Sequence, residues 1–339
     1  MKREDTTISP ITDGDDVATS GDIQSTSQNG GQIAGFRNWI MNGDFQVWQR
    51  GPGPHKSTVS FKYGPDRWRN FSNSNNTLTR TGFGFPKGFD YGCRVTNEVD
   101  GYSNNLGLAQ AIELVLKGGK GEPFTSGTTW TFSCISTATS LNLDVAFGKG
   151  GYEFLDNVVS NVAMTQVSVY EGNWFTYEHT FTFPDSNPDP ECNCLWVRPR
   201  TNGQETWDIT GCQLELGTRT PFERRPKALE YQMCQRYFQT SVNRSWDDSS
   251  AIVETGLTTF IPTNAVDFQV FNFPTFLRTP PTVSVKNKAN AANKARRTGG
   301  GTDEAIMTIT NVNSQSFSFT TDKTAQRTYA YAWRADADF

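Results

Sequence analysis

Short runs in which apolar and polar residues alternate, each closed by turn residues, fill most of the chain after residue 35. In residues 177–183 an aromatic residue or a histidine occupies every second position, and polar residues stand between them. Because successive side chains of a strand point to opposite faces, this pattern predicts a strand with one buried face. Similar runs, separated by Gly, Asn, Asp and Pro, are typical of an antiparallel sandwich. They are 45–48, 78–81, 93–97, 106–116, 130–136, 141–147, 165–170, 174–183, 195–199 and 207–216.

One helix interrupts the strand pattern. Pro226 suits the first turn of a helix over 227–238, and Leu229, Met233 and Tyr237 fall on one face of it. We expect a linker helix that packs on its neighbours. The strand-like runs after it are 258–262, 268–273, 282–286, 305–310, 316–320 and 329–333.

The chain is therefore predicted to be all-β. We expect a jelly-roll β-sandwich over residues 36–223, a short linker helix over 224–240 and a smaller β domain over 241–339. Residues 1–35 are polar and cannot bury enough apolar surface to fold alone, so we expect an extended arm that another protein holds. Its candidate docking residues are Ile8, Ile11, Ile23 and Ile33.

Composition and charge narrow the functional classes. The 339 residues include 24 Phe, 9 Trp, 10 Tyr, 30 Gly and 16 Pro, a composition typical of β proteins. A net charge of −4 gives no cationic field over the whole protein, so we expect no nucleic-acid partner. No apolar run approaches the roughly 18 residues of a spanning helix, so we expect no membrane insertion. The first 16 residues lack the apolar segment of a signal peptide.

One basic, low-complexity stretch lies between two strand-like runs. Residues 286–301 contain five Lys and Arg residues among Asn, Ala and Gly, which predicts a mobile loop. Its cations either hold phosphate groups of a nucleic acid or a lipopolysaccharide, or are simply solvated.

Motifs of catalysis are scarce. The chain has no Gly-x-Ser-x-Gly, P-loop or His-Glu-x-x-His sequence, and its two histidines, His55 and His179, give weak support to a catalytic triad. Cys192 and Cys194 suit packed thiols best, although a disulfide or a metal pair stays open. Hydrolysis by two carboxylates also stays open, because it needs only a pair about 5–10 Å apart.

Sugar recognition asks for aromatic faces beside polar groups. Four tryptophans on strand-like runs are expected in the core: Trp130, Trp174, Trp196 and Trp207. Aromatic residues in polar turns are better candidates for sugar contact. We therefore select Tyr102 with its neighbour Asn104, and Tyr152 beside two glycines, as candidate carbohydrate-binding residues.

Several segments, taken in order, resemble a known group of proteins. They are Asn38-Trp39-Ile40-Met41-Asn42-Gly43-Asp44-Phe45-Gln46-Val47-Trp48-Gln49-Arg50-Gly51, Asp66-Arg67-Trp68, Gly211-Cys212-Gln213-Leu214-Glu215-Leu216-Gly217, Thr220-Pro221-Phe222-Glu223-Arg224-Arg225-Pro226 and Cys234-Gln235-Arg236-Tyr237-Phe238. This set resembles bacteriophage tail-fibre and related virion proteins that carry a jelly roll similar to carbohydrate-binding modules. The run 273–283 and the ending 335–339 look like the β domain that often follows in such proteins.

The resemblance implies a virion appendage, assembled in the bacterial host cytoplasm and usually homotrimeric. It implies contact with host surface polysaccharide or lipopolysaccharide, and docking to other tail or capsid proteins through the arm. No cofactor is required, but calcium is a candidate, because residues 42–46 and 207–209 are similar to the opening and closing strands of calcium-stabilised modules. Asp208 is the candidate ligand. Gln46 replaces the glutamate common in that pattern, which weakens an oxygen site for calcium.

Three functions are compatible with the sequence. The first is a structural and glycan-binding virion protein without enzymatic activity. The second is a purely architectural decoration, cement or adaptor protein of capsid or tail, since a fold does not decide a function. The third is a glycan depolymerase, which would need two carboxylates in a solvent-filled cleft.

Overall fold

The structure is a computed structural model, and it describes most of the chain in segments. These are residues 27–28, 31–32, 36–57, 62–71, 76–82, 84–97, 106–117, 120–122, 124, 126–150, 153–184, 189, 191–201, 206–242, 258–260, 269–287, 289–298, 304–323 and 327–338. No helix in these ranges is long and apolar enough to span a membrane.

Strands dominate the described residues. Those before the helix are β1 (Ser27–Gln28), β2 (Gly31–Gln32), β3 (His55–Ser57), β4 (Arg69–Phe71), β5 (Asn76–Thr81), β6 (Gly92–Asn97), β7 (Leu106–Glu113), β8 (Val115–Lys117), β9 (Lys120–Glu122), β10 (Thr129–Ser136), β11 (Asn142–Lys149), β12 (Glu153–Ala163), β13 (Thr165–Glu171), β14 (Trp174–Thr182), β15 (Cys194–Thr201) and β16 (Trp207–Leu216). The helix α1 (Lys227–Gln235) is followed by β17 (Phe238–Thr240), β18 (Thr258–Phe260), β19 (Gln269–Asn272), β20 (Thr282–Lys286), β21 (Lys294–Arg297), β22 (Glu304–Thr310), β23 (Ser316–Thr321) and β24 (Tyr329–Asp336).

Two antiparallel sheets form a jelly-roll sandwich. Within the described ranges one sheet has seven strands in the order β13-β14-β10-β16-β6-β5-β3, and we call it the seven-stranded sheet. The facing five-stranded sheet has the order β12-β11-β15-β7-β4. Strands distant in sequence lie side by side, as β6 beside β16 and β7 beside β15. The prediction of an all-β sandwich is confirmed.

Alternate residues of the strands fill the space between the two sheets. On β14, Tyr177 and Phe181 are buried in this core, as the aromatic alternation predicts. The four tryptophans predicted in the core are all buried, but only Trp130 and Trp207 lie in this one. Trp174 packs with Phe89 in a separate small cluster, and Trp196 lies in another. All six cysteines, each of them in a described segment, are buried and unpaired, which confirms packed thiols.

The run 45–48 is wrong as a predicted strand. The Asn42 side chain closes a loop there, since its Nδ2 donates to the Val47 carbonyl at 2.8 Å and its Oδ1 accepts from the Val47 N–H at 2.9 Å. Asn42 and Phe45 have φ values of 53° and 56°, which a strand does not allow. The apolar pattern instead marks burial: Phe45 and Trp48 lie in the sandwich core.

The helix is confirmed, but its buried face differs from the predicted one. It ends at Gln235, and Phe238 begins β17. Glu230 and Cys234 are buried, whereas Leu229 and Met233 are only half-buried. The reason is electrostatic: Glu230 points inward because Arg225 donates to both its carboxylate oxygens, at 3.1 and 3.0 Å.

The strands after the helix enclose a second apolar core. It includes Phe317, Tyr331 and Trp333, with β24 hydrogen-bonded to β17, β18, β20 and β21. The predicted mobile loop over 286–301 is wrong in part, since Lys294–Arg297 form β21. Lys294 is held there by an ion pair with Glu304 at 2.7 Å. The proposed domain boundaries at 223/224 and 240/241 stay predictions.

A buried charge cluster joins the sandwich to the second core. Arg50 Nη2 lies 2.8 Å from Asp338 Oδ2 and 3.2 Å from Asp336 Oδ2, and Arg67 is also paired with Asp338. Both guanidinium groups lie over rings, Arg50 over Phe238 at 3.6 Å and Arg67 over Tyr237 at 3.4 Å. We call these residues the junction cluster.

One further carboxylate belongs to the junction. Burial raises the pKa of Asp66 to about 6, although Arg50 beside it opposes that shift. Gln49 donates to both oxygens of this carboxylate, from its backbone N–H at 2.6 Å and from Nε2 at 2.8 Å. The junction is therefore held by charged side chains of which all but Asp336 are largely shielded from water.

Candidate functional site

A cleft of about 330 Å³ opens on the outer face of the seven-stranded sheet. Its floor is made by the outward residues of neighbouring strands, Ser133 and Ile135 on β10 and Thr176 on β14. These positions alternate with core residues such as Phe132 and Tyr177, so the strand alternation itself places them outside. Two segments, residues 84–91 and 217–225, border the floor.

A glycine lets an aromatic ring reach the floor. The pairing of β10 with β16 is irregular between Ser133 and Ile135, and Gly211 lies opposite with a φ of 61°. A Cβ atom built on Gly211 would come within 3.0 Å of the Phe89 ring. Glycine therefore serves both the left-handed backbone and the close approach of Phe89.

Three aromatic side chains form one wall of the cleft. The Phe89 ring centroid lies 5.4 Å from that of Phe222 and 6.2 Å from that of Tyr170. Phe89 is buried, but Tyr170 is 44% exposed, so its ring is open to solvent. Behind them, Trp174 Nε1 donates to the Gly84 carbonyl at 2.8 Å, which ties the 84–91 segment to β14.

A buried carboxylate holds the 217–225 segment in place. Glu215 is 1% exposed and accepts from the Thr220 N–H at 2.8 Å and the Thr220 hydroxyl at 2.6 Å. Gln213 donates to the same carboxylate at 2.6 Å and accepts from the Glu223 N–H at 2.7 Å. These hydrogen bonds fix the position of Phe222 and its neighbours, which form one border of the cleft.

Two arginines line the same cleft. Arg224 is exposed, and its Cζ lies 4.5 Å from the Phe89 ring centroid and 5.8 Å from that of Phe222. Arg219 donates from Nε to Glu178 at 2.6 Å. The cleft therefore combines exposed aromatic surface with hydroxyl and guanidinium donors, which is the chemistry that recognises a sugar ring and its substituents.

The carbohydrate-binding residues proposed from the sequence cannot be compared with this cleft. Tyr102, Asn104 and Tyr152 lie outside the described residues. The described residues nearest to them in sequence are at opposite ends of the five-stranded sheet, since Leu106 pairs with Thr201 and Gly148 pairs with Cys194. The proposed docking residues are likewise outside the described ranges: Ile8, Ile11, Ile23 and Ile33.

The candidate calcium ligand makes a different bond. Both oxygens of Asp208 accept from Arg94, from Nε at 2.9 Å and from Nη2 at 2.8 Å. No group of three or more His, Cys, Asp or Glu residues suited to a metal ion is found in the described part of the chain. A calcium ion at Asp208 would have to displace the guanidinium, and calcium binding stays a prediction.

The sequence does not single out the cleft residues, and the reason is physical. Phe89, Tyr170 and Arg224 come from separate parts of the chain, and only the fold places them side by side. One signal was present, because Phe222 and Arg224 fall inside the segment 220–226 that carries the resemblance to virion proteins. That segment is part of the cleft border.

Comparisons with known proteins find weak similarity to several solved structures. No protein-family model matches the chain, and no curated protein matches it in sequence. Among solved structures it is similar to the enzymatically active domain of tailspike protein 4 of bacteriophage CBA120, at 12% identity over 53% of this chain, with a TM-score of 0.30. That match spans 21% of the tailspike chain, so it covers a small part of that protein.

Two further structures match most of their own length. The CBM22-1 xylan-binding domain from Paenibacillus barcinonensis Xyn10C is 10% identical, with 49% of this chain and 94% of that chain covered and a TM-score of 0.30. A cyclase from Fischerella sp. TAU is 16% identical, with 52% and 97% covered and a TM-score of 0.31. At such low identities and TM-scores, these likenesses assign no function to this chain.

Proposed function

We propose that the chain is a bacteriophage virion protein, a tail fibre or a similar appendage, that binds host-surface polysaccharide or lipopolysaccharide in the cleft on its seven-stranded sheet. The observation that carries the binding half of this proposal is that the exposed Tyr170 ring, Phe222 and Arg224 line one cleft, whose floor includes the hydroxyl-bearing Ser133 and Thr176. A pyranose offers an apolar CH face to such rings and hydroxyls to such donors.

The virion half of the proposal is supported by the sequence. The ordered segments from 38 to 238 resemble phage virion proteins, and the polar residues 1–35 suit docking to a neighbouring tail or capsid protein. In a homotrimer, three weak sites that engage one surface together gain avidity without any single tight site. This is the advantage of an appendage for adsorption.

We propose binding without hydrolysis. Two carboxylates that bond to residues of the cleft lining already have partners: Glu178 accepts from Arg219, and Glu215 accepts from Gln213 and Thr220. A hydrolase needs one carboxyl group free to donate a proton and a second one to attack or to activate water. The hydrogen bonds of Glu178 and Glu215 hold the cleft border instead.

A glycan array on the isolated protein tests the binding site. We expect Tyr170→Ala and Phe222→Ala to weaken glycan binding by about tenfold each, because a lost aromatic contact is worth on the order of 1 kcal/mol. Tyr231→Ala is the matched control, since Tyr231 is 40% exposed on α1 and does not line the cleft. Its binding should equal that of the wild type.

The same samples separate the alternatives. Release of reducing ends from the bound glycan would identify a depolymerase. No binding to any glycan, with a folded protein that still enters particles, would leave the architectural function.

The arm gives a separate prediction. Deletion of residues 1–35 should leave a folded, soluble oligomer that no longer enters particles, because the sandwich core is built from residues after 39. Circular dichroism and size-exclusion chromatography report folding and assembly, and particle composition reports incorporation. Loss of folding in the deletion variant would show that the segment is part of the fold rather than a docking arm.

A further inference from the structure

We infer that the cleft selects acidic sugars, with the carboxylate of a uronic or sialic acid bound by Arg224; this inference rests on the proposed glycan-binding function. The first observation is the sign of the charge. Arg219 and Arg224 line the cleft, and no acidic side chain does so in the described part of the chain. The protein as a whole has a net charge of −4, so this positive surface runs against the average.

The second observation is that the Arg224 guanidinium forms no ion pair with a described residue. Its side chain is exposed at the cleft, and no described carboxylate lies within ion-pair distance of it. The nearby carboxylate of Asp44 is bonded to the Gln46 amide, and burial raises the pKa of Asp44 although Arg224 opposes that shift. The donors of Arg224 are therefore available to a ligand.

The third observation is that Arg224 is already oriented. Its guanidinium lies over the Phe89 and Phe222 rings, whose faces attract a cation and restrict the side chain. Arg219 differs, because Nε already donates to Glu178. A guanidinium held in place loses less freedom when it binds, and its planar fork matches the two oxygens of a carboxylate.

The aromatic wall and Arg224 can contact the same sugar residue. A sugar ring that lies against Tyr170 or Phe222 directs its equatorial substituents outward from the ring edge, toward the border that carries Arg224. In a uronate one of these substituents is a carboxylate, which forms two parallel charge-assisted hydrogen bonds with arginine. The hydroxymethyl group of the neutral sugar at the same position forms only a weak one.

Matched pairs of glycans test this inference. The probes are oligogalacturonate, oligomannuronate and α2,8-linked oligosialate, each beside its carboxyl-reduced form, in which the same backbone carries no charge. Affinities are measured by isothermal titration with the full chain. We expect at least one acidic probe to bind about tenfold or more tightly than its reduced form, and Arg224→Gln to remove that difference.

Arg80 is the matched control, because its guanidinium also lies over an aromatic ring but is outside the cleft. Arg80 lies 5.0 Å from the Tyr91 ring centroid and does not line the cleft, so Arg80→Gln should keep the full preference for the acidic form. Arg224→Lys retains the charge without the planar fork and should retain only part of the preference.

The outcomes are distinguishable. Equal binding of acidic and reduced forms overturns the inference and leaves the proposed glycan binding in place. An acidic preference that survives Arg224→Gln overturns it as well, because the charge is then recognised elsewhere. Binding of no probe and of no glycan on the array contradicts the proposed function itself.

Discussion

Replacement of Asp338 by alanine is expected to lower the free energy of unfolding by about 3–5 kcal/mol, the range for removal of one partner from a buried ion pair. The Asp338 carboxylate is 2% exposed and faces Arg50, 10% exposed, and Arg67, 1% exposed. Arg50 keeps Asp336, but two buried guanidinium groups lose the carboxylate that they share. The free-energy cost of burying these two guanidinium groups is then no longer offset by their attraction to the Asp338 carboxylate.

The same substitution should loosen the connection between the two cores. Arg50 and Arg67 belong to the sandwich side of the junction cluster, whereas Asp338 follows β24. We therefore expect differential scanning calorimetry to resolve two transitions for Asp338→Ala. The exposed Asp90 is the matched control, and Asp90→Ala should stay within about 0.5 kcal/mol of the wild type. An Asp338→Ala protein that is as stable as this control would contradict the account of the junction.

Replacement of Arg225 by methionine is expected to destabilise the protein by a similar amount, about 3–5 kcal/mol near pH 7. The Arg225 side chain is 3% exposed and donates to the Asn38 carbonyl, to the Ile40 carbonyl at 3.0 Å and to Glu230. Glu230 also accepts the Asn42 N–H. Methionine fills the space but removes the donor that Arg225 supplies to the Asn38 and Ile40 carbonyls, and it leaves the buried Glu230 carboxylate without its cationic partner.

The loss of stability in the Arg225→Met variant is expected to depend on pH. Burial raises the pKa of Glu230, and Arg225 opposes this shift, so the variant should raise the pKa further. A carboxyl whose pKa is higher in the folded than in the unfolded state contributes most stability below the unfolded value, and loses it as pH rises through the folded value. The defect should therefore shrink as the pH is lowered from 8 to 5.

A second substitution should rescue the first. Glutamine at position 230 keeps an acceptor for the Asn42 N–H but carries no charge, so Arg225→Met with Glu230→Gln should be more stable than Arg225→Met alone at pH 7. Urea unfolding at several pH values measures both effects. A pH-independent defect without rescue would mean that Arg225 acts through packing rather than through its charge.

The regular strands could be predicted from the sequence because their buried side chains alternate. The run 207–216 and β16 agree in both bounds, and 130–136 differs from β10 by one residue. The 11-residue β12 was missed, since its pairing with β11 shifts register and blurs the alternation. The opposite error occurred at 45–48, where buried apolar residues produced a strand-like pattern in a segment that forms a loop.

The burial of polar side chains could not be predicted from the hydrophobic pattern. Hydrophobic periodicity placed Leu229 and Met233 inward on the helix, but the ion pair with Arg225 turned Glu230 inward instead. The candidate site depends even more on tertiary structure. Tyr170 and Phe89 are 81 positions apart in the sequence, and only the sheet and the irregular strand pairing at Gly211 place their ring centroids 6.2 Å apart.

The most direct test of the account is a crystal structure of the protein with the tightest glycan from the array. We predict a sugar ring against Tyr170 and Phe222, with an acidic or hydroxyl substituent within hydrogen-bond distance of Arg224. A glycan bound on another surface, with the cleft on the seven-stranded sheet empty, would contradict the account.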